Sequence, residues 1–239
     1  MSNIPPADPA LIDELVTGNR VLYHRSIVDA FGHLSVRHDK DPAKYLMSRH
    51  LAPGLVTVAD IVTFDLDSTP VHDIGKRYYS ERFIHGEVYK ARPDVVAVVH
   101  CHAPQLIPFG ATGVPLRPIY HMSAFLGAGV PIFEIREAGG ATDMLVRTPA
   151  LGGALASRLG DKPVILMRGH GAIMVGASIR QAVYRAIYAT LNAALQMETM
   201  RLGEPKFLTP EESILASDRN DKAVDRAWAL WQREALGGV

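Results

Sequence analysis

The chain has 239 residues, of which 48% are hydrophobic and 21% are charged. This length and composition predict one large folded domain and exclude general disorder. Lysine and arginine together number 25, as do aspartate and glutamate, so the formal net charge is zero and the chain lacks the extended basic surface that nucleic-acid binding requires.

Three features of the sequence bear on the cellular compartment. The single cysteine, Cys101, cannot form an internal disulfide. Residues 1–9 show neither the basic nor the apolar part of a leader peptide. The longest apolar runs, such as residues 95–99, are far shorter than the roughly 20 residues that cross a bilayer. We therefore expect a cytoplasmic protein.

The first third of the chain predicts a helix followed by a meander of short strands. Asp8 and Pro9 are typical of the N-cap and the first position of a helix, which we expect to end near residues 31–32. Runs of β-type residues separated by turn formers then predict three strands. These runs lie at residues 33–37, 45–48 and 61–66.

A second helix and a buried strand follow the meander. Ser80 is the expected N-cap of this helix, with Glu81 in its first turn and a stop at the Arg-Pro-Asp sequence of residues 92–94. Residues 95–99 are apolar and mostly β-branched, which predicts a strand buried on both faces. Residues 103–147 are rich in glycine and proline, so short strands and loops should alternate there.

The last third of the chain predicts a helix, two strands and two long helices. Thr148 and Pro149 indicate the start of a helix that ends at Gly160. The strands are expected at residues 163–167 and 172–175, on either side of a tight turn at residues 169–171. A long helix over residues 178–202 has four apolar residues on one side: Ala182, Ile187, Leu191 and Leu195. Thr209 indicates the start of the last helix.

Histidines are the most informative residues. His100 and His102 flank Cys101 at the end of a predicted strand, and side chains alternate faces along a strand, so both imidazoles should point the same way. That arrangement suits a metal ion, which needs a further ligand from elsewhere in the fold. His170, between Gly169 and Gly171 after a second buried strand, is the best candidate. Alternatively, the pair are ordinary surface or hydrogen-bonded histidines.

Glu81 and His85 provide candidate acid and base groups. They lie four residues apart on one predicted helix and so share a face of it. We assign both as candidate catalytic residues. The alternative is an ordinary surface pair.

In order and spacing, these residues resemble the class II aldolase/adducin superfamily. Ser80, Glu81 and His85, followed by Tyr89 and the strand into the His-Cys-His sequence of residues 100–102, are similar to its central motif. His170 within Arg-Gly-His-Gly is similar to the motif of its third histidine. The resemblance covers the chain from residue 32 through the long helix after residue 178. It implies a single α/β domain over residues 1–239, with αβα layers around a central, mainly antiparallel sheet.

The resemblance also implies a metal site and an assembly. In the family, three histidines bind a divalent metal, here His100, His102 and His170, and a glutamate, here Glu81, acts as acid/base or fourth ligand. Manganese is favoured and zinc is the other candidate. A cyclic homotetramer with active sites between subunits is implied, with the C-terminal helices from about residue 178, including Trp228 and Trp231, covering the site or the interface. Core packing is the alternative for both tryptophans.

The chain differs from the sugar-phosphate aldolases of this superfamily in two loops. His33 stands where those enzymes carry asparagine, and Arg49 and His50 stand in place of a small-residue phosphate cradle. An arginine fork favours a planar carboxylate, so we assign His33, Arg49 and His50 as candidate substrate-binding residues. A solvated loop residue is the alternative for Arg49. Tyr120 and His121 are further candidates, because the family places an aromatic proton donor from a neighbouring subunit near the metal.

With these differences, the chain resembles the decarboxylase branch of the superfamily. The resemblance implies a metal-dependent carbon–carbon lyase acting on a hydroxylated aromatic or pyridine dicarboxylate. The favoured substrate is 3-hydroxy-2-methylpyridine-4,5-dicarboxylate, of vitamin B6 degradation. Three alternatives stay open: an aldolase or epimerase of a small sugar phosphate, a non-catalytic adducin-like scaffold, and a zinc hydrolase.

Overall fold

A seven-stranded sheet forms the centre of the molecule in the computed structural model, which describes residues 5–238. Its strands are β1 (His33–Arg37), β2 (Lys44–Ser48), β3 (Ile61–Asp65), β4 (Ala97–Cys101), β5 (Ile132–Phe133), β6 (Val164–Met167) and β7 (Gly171–Gly176). Their order across the sheet is β3-β2-β1-β4-β7-β6-β5. All neighbouring strands run antiparallel except β5 and β6, which are parallel. The prediction of a mainly antiparallel sheet is confirmed.

Helices cover both faces of this sheet. They are α1 (Pro9–His24), α2 (Arg82–Ala91), α3 (Ile107–Ala111), α4 (Ile135–Gly139), α5 (Pro149–Leu159), α6 (Ile179–Leu202), α7 (Pro210–Asp221) and α8 (Val224–Ala235). Short 3-10 segments lie at Pro53–Leu55, Val58–Asp60 and His121–Ala128. None of the helices within residues 5–238 has the length and apolar character needed to span a membrane.

Two apolar cores, one on each side of the sheet, make three layers. One core joins α1, α6 and α8 to the face that carries Val99 and Cys101. The other joins α2 and α5 to the face that carries Val98 and Ile173. β4 therefore alternates between the two cores, as the predicted two-sided burial requires. The αβα fold predicted from the family resemblance is confirmed.

The first helix is shorter than predicted. It ends at His24 rather than near residues 31–32. Ser26 adopts a left-handed backbone with φ of 56°, and the N–H of Ile27 donates to the carbonyl oxygen of Leu22 at 2.9 Å. These bonds close the helix and turn Ile27 and Val28 into the core, where their apolar side chains extend the periodic pattern that suggested a longer helix.

Two further predictions need correction. Residues 103–147 hold mainly short helical segments, with only the two-residue strand β5, because residues such as Leu106 and Phe109 face the core from helical turns. Three helices, rather than two, follow β7. On α6, Ala182 and Ile187 are buried as core residues.

Candidate metal centre

Three histidine side chains and one carboxylate converge at one edge of the central strands. His102 Nε2 lies 3.0 Å from His100 Nε2 and 3.1 Å from His170 Nε2. Glu81 Oε2 lies 3.5 Å from the Nε2 atoms of both His100 and His170. One ligand atom from each of the four residues falls within 4.8 Å of the others. The structure thus brings together every residue that the sequence suggested as a metal ligand.

Strand geometry places the three histidines. His100 is the fourth residue of β4, where it pairs with Ile173 of β7, and His102 follows directly after the strand on the same face. His170 lies in the tight turn between β6 and β7, and Gly169 has a φ of +63° there. A side chain at Gly171 would collide with the carbonyl oxygen of Cys101. Glycine at this position is what allows the turn to approach β4.

Hydrogen bonding orients the His100 ring. Its Nδ1 faces the carbonyl oxygen of Ala172 at 3.2 Å, and a carbonyl can only accept, so Nδ1 carries the hydrogen. The lone pair therefore sits on Nε2, which faces the cluster, and a fixed tautomer of this kind is typical of metal-binding histidines. Burial, followed by the neighbouring His100 and His170, lowers the pKa of His102 to about 4. A neutral imidazole is the form that binds a metal.

Glu81 reaches the histidines from the start of α2. The prediction that Ser80 caps this helix is wrong by one residue, because Glu81 itself occupies the N-cap position and its side chain does not cap. Instead, Glu81 Oε1 accepts the Val146 N–H at 2.9 Å, which leaves Oε2 facing His100 and His170. Burial alone would raise the pKa of Glu81, but these two histidines outweigh it and hold the pKa well below its usual value.

The donor set fits a divalent cation. The Nε2 atom of His102 lies about 3 Å from the Nε2 atoms of both His100 and His170, and each of these two contacts can hold at most one hydrogen. A carboxylate completes the group, and Glu81 is 6% exposed and His100 fully buried. Imidazole with carboxylate oxygen is a ligand set that zinc, manganese and iron accept. A cation would satisfy all four donors at once.

A cavity of about 460 Å³ opens beside the cluster. Its polar lining includes His33, His50, Tyr79, Glu81 and His102. Apolar lining comes from Phe31, Leu51, Ala52 and Leu145. The volume lies within the usual range for small-molecule sites, roughly 300–1,000 Å³.

His85 lies behind the cavity rather than in its lining. It is fully buried, and its Nε2 lies 2.6 Å from Nδ1 of His33, a residue that does line the cavity. Burial, followed by the nearby His100, lowers the pKa of His85 to about 3. Burial and the neighbouring His85 and His100 likewise hold the pKa of His33 well below its usual value. Any action of His85 on a substrate would therefore pass through His33.

The other predicted substrate-binding residues are not all at the cavity. His50 is an exposed residue of its rim. Arg49 is not part of the lining, and its Nε donates to Asp60 at 2.7 Å. Tyr120 packs near Tyr188, with ring centroids 6.4 Å apart. The carbonyl oxygen of His121 accepts from Asn220 Nδ2 at 2.6 Å, so neither Tyr120 nor His121 lines the cavity of its own chain.

Sequence reasoning missed three groups at this site. Tyr79 lines the cavity, and its hydroxyl bonds to the Leu51 carbonyl oxygen. Ser35 bonds to His85, and Val146 holds Glu81 through its main chain. Tyr79 was open to detection, since it directly precedes Ser80 and Glu81. A main-chain donor from a distant loop leaves no signal in the sequence.

Comparison with known proteins identifies the family. The model of the Class II Aldolase and Adducin N-terminal domain matches residues 13–197. The decarboxylase tropJ of Talaromyces stipitatus is 38% identical over 260 aligned positions, which cover 99% of this chain and 97% of that protein. A 3,4-dihydroxyphthalate decarboxylase of Arthrobacter keyseri is 31% identical over 77% of this chain and 76% of its own.

A solved structure supports the same grouping at the level of the fold. The aldolase II superfamily protein from Pseudomonas syringae superimposes with a TM-score of 0.80, covering 98% of this chain and 94% of its own, at 22% identity. Sequence and fold therefore agree, and this chain belongs to the class II aldolase/adducin superfamily.

Proposed function

We propose that this protein is a metal-dependent decarboxylase of a hydroxylated aromatic carboxylate. The observation that carries the proposal is the convergence of Glu81, His100, His102 and His170 beside a cavity with room for one aromatic ring. The names of the two decarboxylase relatives support the reaction type. The name of the 3,4-dihydroxyphthalate decarboxylase supports a substrate whose ring carries both hydroxyl and carboxylate groups.

The Nε2 atoms of the three histidines would hold the cation, with Glu81 Oε2 as the fourth donor or as a free carboxylate beside it. We favour Mn²⁺, with Zn²⁺ as the other candidate. A bound divalent cation supplies a Lewis acid that stabilises the negative charge developing beside the breaking carbon–carbon bond.

The protein must then supply one proton. When carbon dioxide leaves, the electron pair of the broken bond stays with the ring, and the ring carbon takes up a proton in place of the carboxyl group. Glu81 is our candidate for this transfer, because Val146 holds Oε1 and leaves Oε2 toward the cluster. Its low pKa means that Glu81 starts as a carboxylate. Glu81 would pass a proton that reaches it from bulk solvent to the ring carbon, so that one proton taken up from solution replaces each carbon dioxide released.

Other lining residues would bind the ring. Phe31, Leu51 and Leu145 offer apolar surface, which excludes water from the ring faces. His50, at the rim, is placed to approach a carboxylate that is retained in the product. Arg49 would have to leave Asp60 to share this role, so we assign the retained carboxylate to His50 first.

The identity of the ring is a finer question. The pyridine substrate predicted from the sequence, 3-hydroxy-2-methylpyridine-4,5-dicarboxylate, shares a hydroxyl group next to a carboxylate with the dihydroxyphthalate of the relative. The same chemistry serves both, so both belong in one substrate panel. An aldolase acting on a sugar phosphate is the alternative enzyme, and a scaffold without catalysis has no use for the buried histidine cluster.

A metal-reloading experiment tests the proposal. The protein is stripped with a chelator, reloaded with Mn²⁺ or Zn²⁺, and incubated with 3,4-dihydroxyphthalate and the pyridine dicarboxylate while carbon dioxide release is followed. We expect release only after reloading. His102→Ala should abolish it, whereas the exposed His72 provides a matched control, His72→Ala, that retains it. Release that survives chelation contradicts the role of the cation. Cleavage of a sugar phosphate without carbon dioxide release would establish the aldolase instead.

A further inference from the structure

Four buried side chains form a continuous chain of hydrogen bonds that starts at the cavity. His33 Nδ1 lies 2.6 Å from His85 Nε2, and His85 Nδ1 lies 2.6 Å from Ser35 Oγ. Ser35 Oγ lies 2.7 Å from Tyr89 Oη, which lies 3.4 Å from the carbonyl oxygen of Val96. All four residues are at most 3% exposed. We call this group, His33, His85, Ser35 and Tyr89, the relay.

The far end of the relay sets its direction. The Val96 carbonyl can only accept a hydrogen bond, so Tyr89 must donate its one hydroxyl hydrogen there if the contact forms. Ser35 then donates to Tyr89, His85 donates to Ser35 through Nδ1, and His33 donates to His85 through Nδ1. In the opposite direction the three shorter bonds also form, but the contact with Val96 is lost. Only one direction uses all four contacts.

This direction makes His33, the end of the relay at the cavity, a hydrogen-bond acceptor. A neutral imidazole with hydrogen on Nδ1 has its lone pair on Nε2. Nδ1 of His33 is bonded to His85, and His33 lines the cavity. Among the hydrogen bonds of residues 5–238, none involves His33 Nε2. This nitrogen is therefore open to a donor in the cavity.

We propose that the relay holds His33 Nε2 as a hydrogen-bond acceptor for a hydroxyl group on the substrate ring. His33 touches the substrate in this scheme, whereas His85, Ser35 and Tyr89 are positioning residues that act through it. The relay would select rings that carry a free hydroxyl over rings in which that oxygen is methylated, because an ether oxygen has no hydrogen to donate. The choice of ligand rests on the proposed function, but the direction of the relay does not.

The direction is measured without substrate or metal. The metal-free protein is produced with ¹⁵N-labelled histidine. A His33→Gln variant identifies the signals of His33 among those of the ten histidines. The ¹⁵N chemical shifts and two-bond couplings of His33 then report which ring nitrogen carries the hydrogen. We expect the Nδ1–H form in the wild type. The Nε2–H form as the main species would overturn the proposal.

Tyr89→Phe tests the cause of that direction. Without Oη, the Ser35 hydroxyl loses its acceptor and must donate to His85 instead, which reverses the relay and moves the hydrogen of His33 to Nε2. Tyr45→Phe is the matched control, since Tyr45 is equally buried and stacks 6.4 Å from the His85 ring but bonds to Ser68 instead. It should leave His33 unchanged. Unchanged tautomers in both variants would contradict the relay.

Ser35→Ala provides a second test that does not depend on the Tyr89 variant folding. It removes the hydroxyl that links His85 to Tyr89. Tyr89 then no longer determines the tautomer of His33, and we expect a mixture of both forms. Circular dichroism and the melting temperature establish that each variant is folded. A pure Nδ1–H form in folded Ser35→Ala would contradict the proposal.

Substrate choice tests the ligand. For each variant, kcat/KM is measured for a hydroxylated aromatic carboxylate and for its O-methyl ether. We expect Tyr89→Phe to lower the preference for the free hydroxyl at least about tenfold, because a reversed His33 donates to the ether oxygen, and Tyr45→Phe to leave it unchanged. An unchanged preference in a variant with a reversed tautomer overturns the ligand assignment. If the wild type decarboxylates neither compound, the proposed function fails, while the NMR result still decides the relay.

Discussion

Glu81 has an unusual position for a carboxylate, because it occupies the N-cap of α2 without capping it. Its side chain instead lies between the Val146 N–H and the histidines. A group held in this way is suited to carrying a proton at a fixed point, and general acid–base catalysis commonly contributes 10²–10⁴-fold, roughly, to the rate.

Glu81→Gln is therefore expected to lower kcat for carbon dioxide release by about 10²-fold or more. The amide keeps the shape of the side chain and removes its proton transfer, while the three histidines still hold the cation. Steady-state kinetics and the metal content of the purified variant are the measurements. Glu137→Gln, at an exposed glutamate, is the control and should behave as the wild type. Unchanged kcat in a metal-loaded Glu81→Gln protein would assign the proton transfer to another group.

Cys101 lies between two of the cluster histidines in sequence but on the opposite face of β4. It is fully buried in the core beneath α1 and α6, and burial raises the pKa of its thiol to about 11. A protonated thiol without access to solvent does not react with thiol reagents.

We expect a disulfide reagent such as Ellman's to detect no thiol in the native protein and one thiol per chain after denaturation. The sequence contains one cysteine, so the count is unambiguous. Rapid stoichiometric labelling of the native protein would show that β4 opens to solvent. That result would also contradict the rigid placement of His100 and His102 at the end of this strand.

At the residue scale, the sequence predicts the cluster well and its surroundings poorly. His100, His102 and His170 could be grouped because strand alternation and a glycine-flanked turn are local patterns. Arg49 could not be placed correctly, because its partner Asp60 lies eleven residues further along the chain in a 3-10 turn. The relay likewise joins β1 to α2 across a separation of about fifty residues, which no local pattern reveals.

Helices α2 and α5 pack closely against each other on one face of the sheet. Two adjacent glycines of α5 differ sharply in the space that a side chain would have at this contact. A Cβ atom at Gly152 would lie 2.6 Å from the carbonyl oxygen of Phe83 in α2, whereas a Cβ atom at Gly153 would meet Glu87 Oε2 at 3.7 Å, an ordinary contact distance. Because α2 also carries Glu81 at its start, this packing helps to fix the position of the cluster.

Gly152→Ala is expected to destabilise the protein by about 1–3 kcal/mol, because the backbone of α2 must move to admit the methyl group. Gly153→Ala, in the same helix, should instead stabilise it by up to roughly 1 kcal/mol through helix propensity. Denaturant unfolding of the two variants and the wild type gives both values. Equal effects of the two substitutions would mean that α2 and α5 pack less closely than the 2.6 Å distance at Gly152 indicates.

At the element scale, helix starts with a capping side chain could be predicted from the sequence, whereas the end of α1 could not. Thr148, Ser178 and Thr209 each accept the N–H of a residue three positions later, so the start is encoded within one turn. The end of α1 depends on the left-handed Ser26, a residue type with no strong preference for that conformation. The helical segments between residues 103 and 147 are short and depend on contacts with the core, which glycine and proline content does not reveal.

At the scale of the whole molecule, two of the predicted site residues do not lie at the cavity of their own chain. Tyr120 and His121 lie against α6 and α7, and neither lines that cavity. On α6, Leu191 and Leu195 are 43% and 44% exposed, although they belong to the apolar side of the helix recognised in the sequence. The predicted homotetramer, in which one subunit completes the site of the next, stays a prediction.

The tryptophans of α8 have a different role within the chain. Trp228 and Trp231 are 3% and 4% exposed and belong to the core shared with α1 and α6. They do not line the cavity of their own chain. Within one subunit, the alternative of core packing therefore describes them, and a contribution of the C-terminal helices to a subunit interface stays a prediction.

A mixing experiment tests whether sites are shared between subunits. Tyr120→Phe should remove the hydroxyl that a neighbouring subunit is predicted to contribute, and Glu81→Gln should remove the carboxylate, so each variant alone is expected to have low activity. In a cyclic assembly formed from equal amounts of both by unfolding and refolding together, about a quarter of the sites combine an intact Glu81 from one subunit with an intact Tyr120 from its neighbour. Activity should therefore recover to about a quarter of the wild-type value.

The control mixes Glu81→Gln with His102→Ala, two changes on the same side of the proposed shared site. No site in that mixture has both residues intact, so no recovery is expected. Size-exclusion chromatography with light scattering gives the number of chains in each assembly. A monomer by light scattering would show that each chain forms its site alone, and a fully active Tyr120→Phe protein would show that the reaction does not use the Tyr120 hydroxyl. Recovery in the first mixture and not in the second would mean that the cluster of one subunit works with the Tyr120 segment of another.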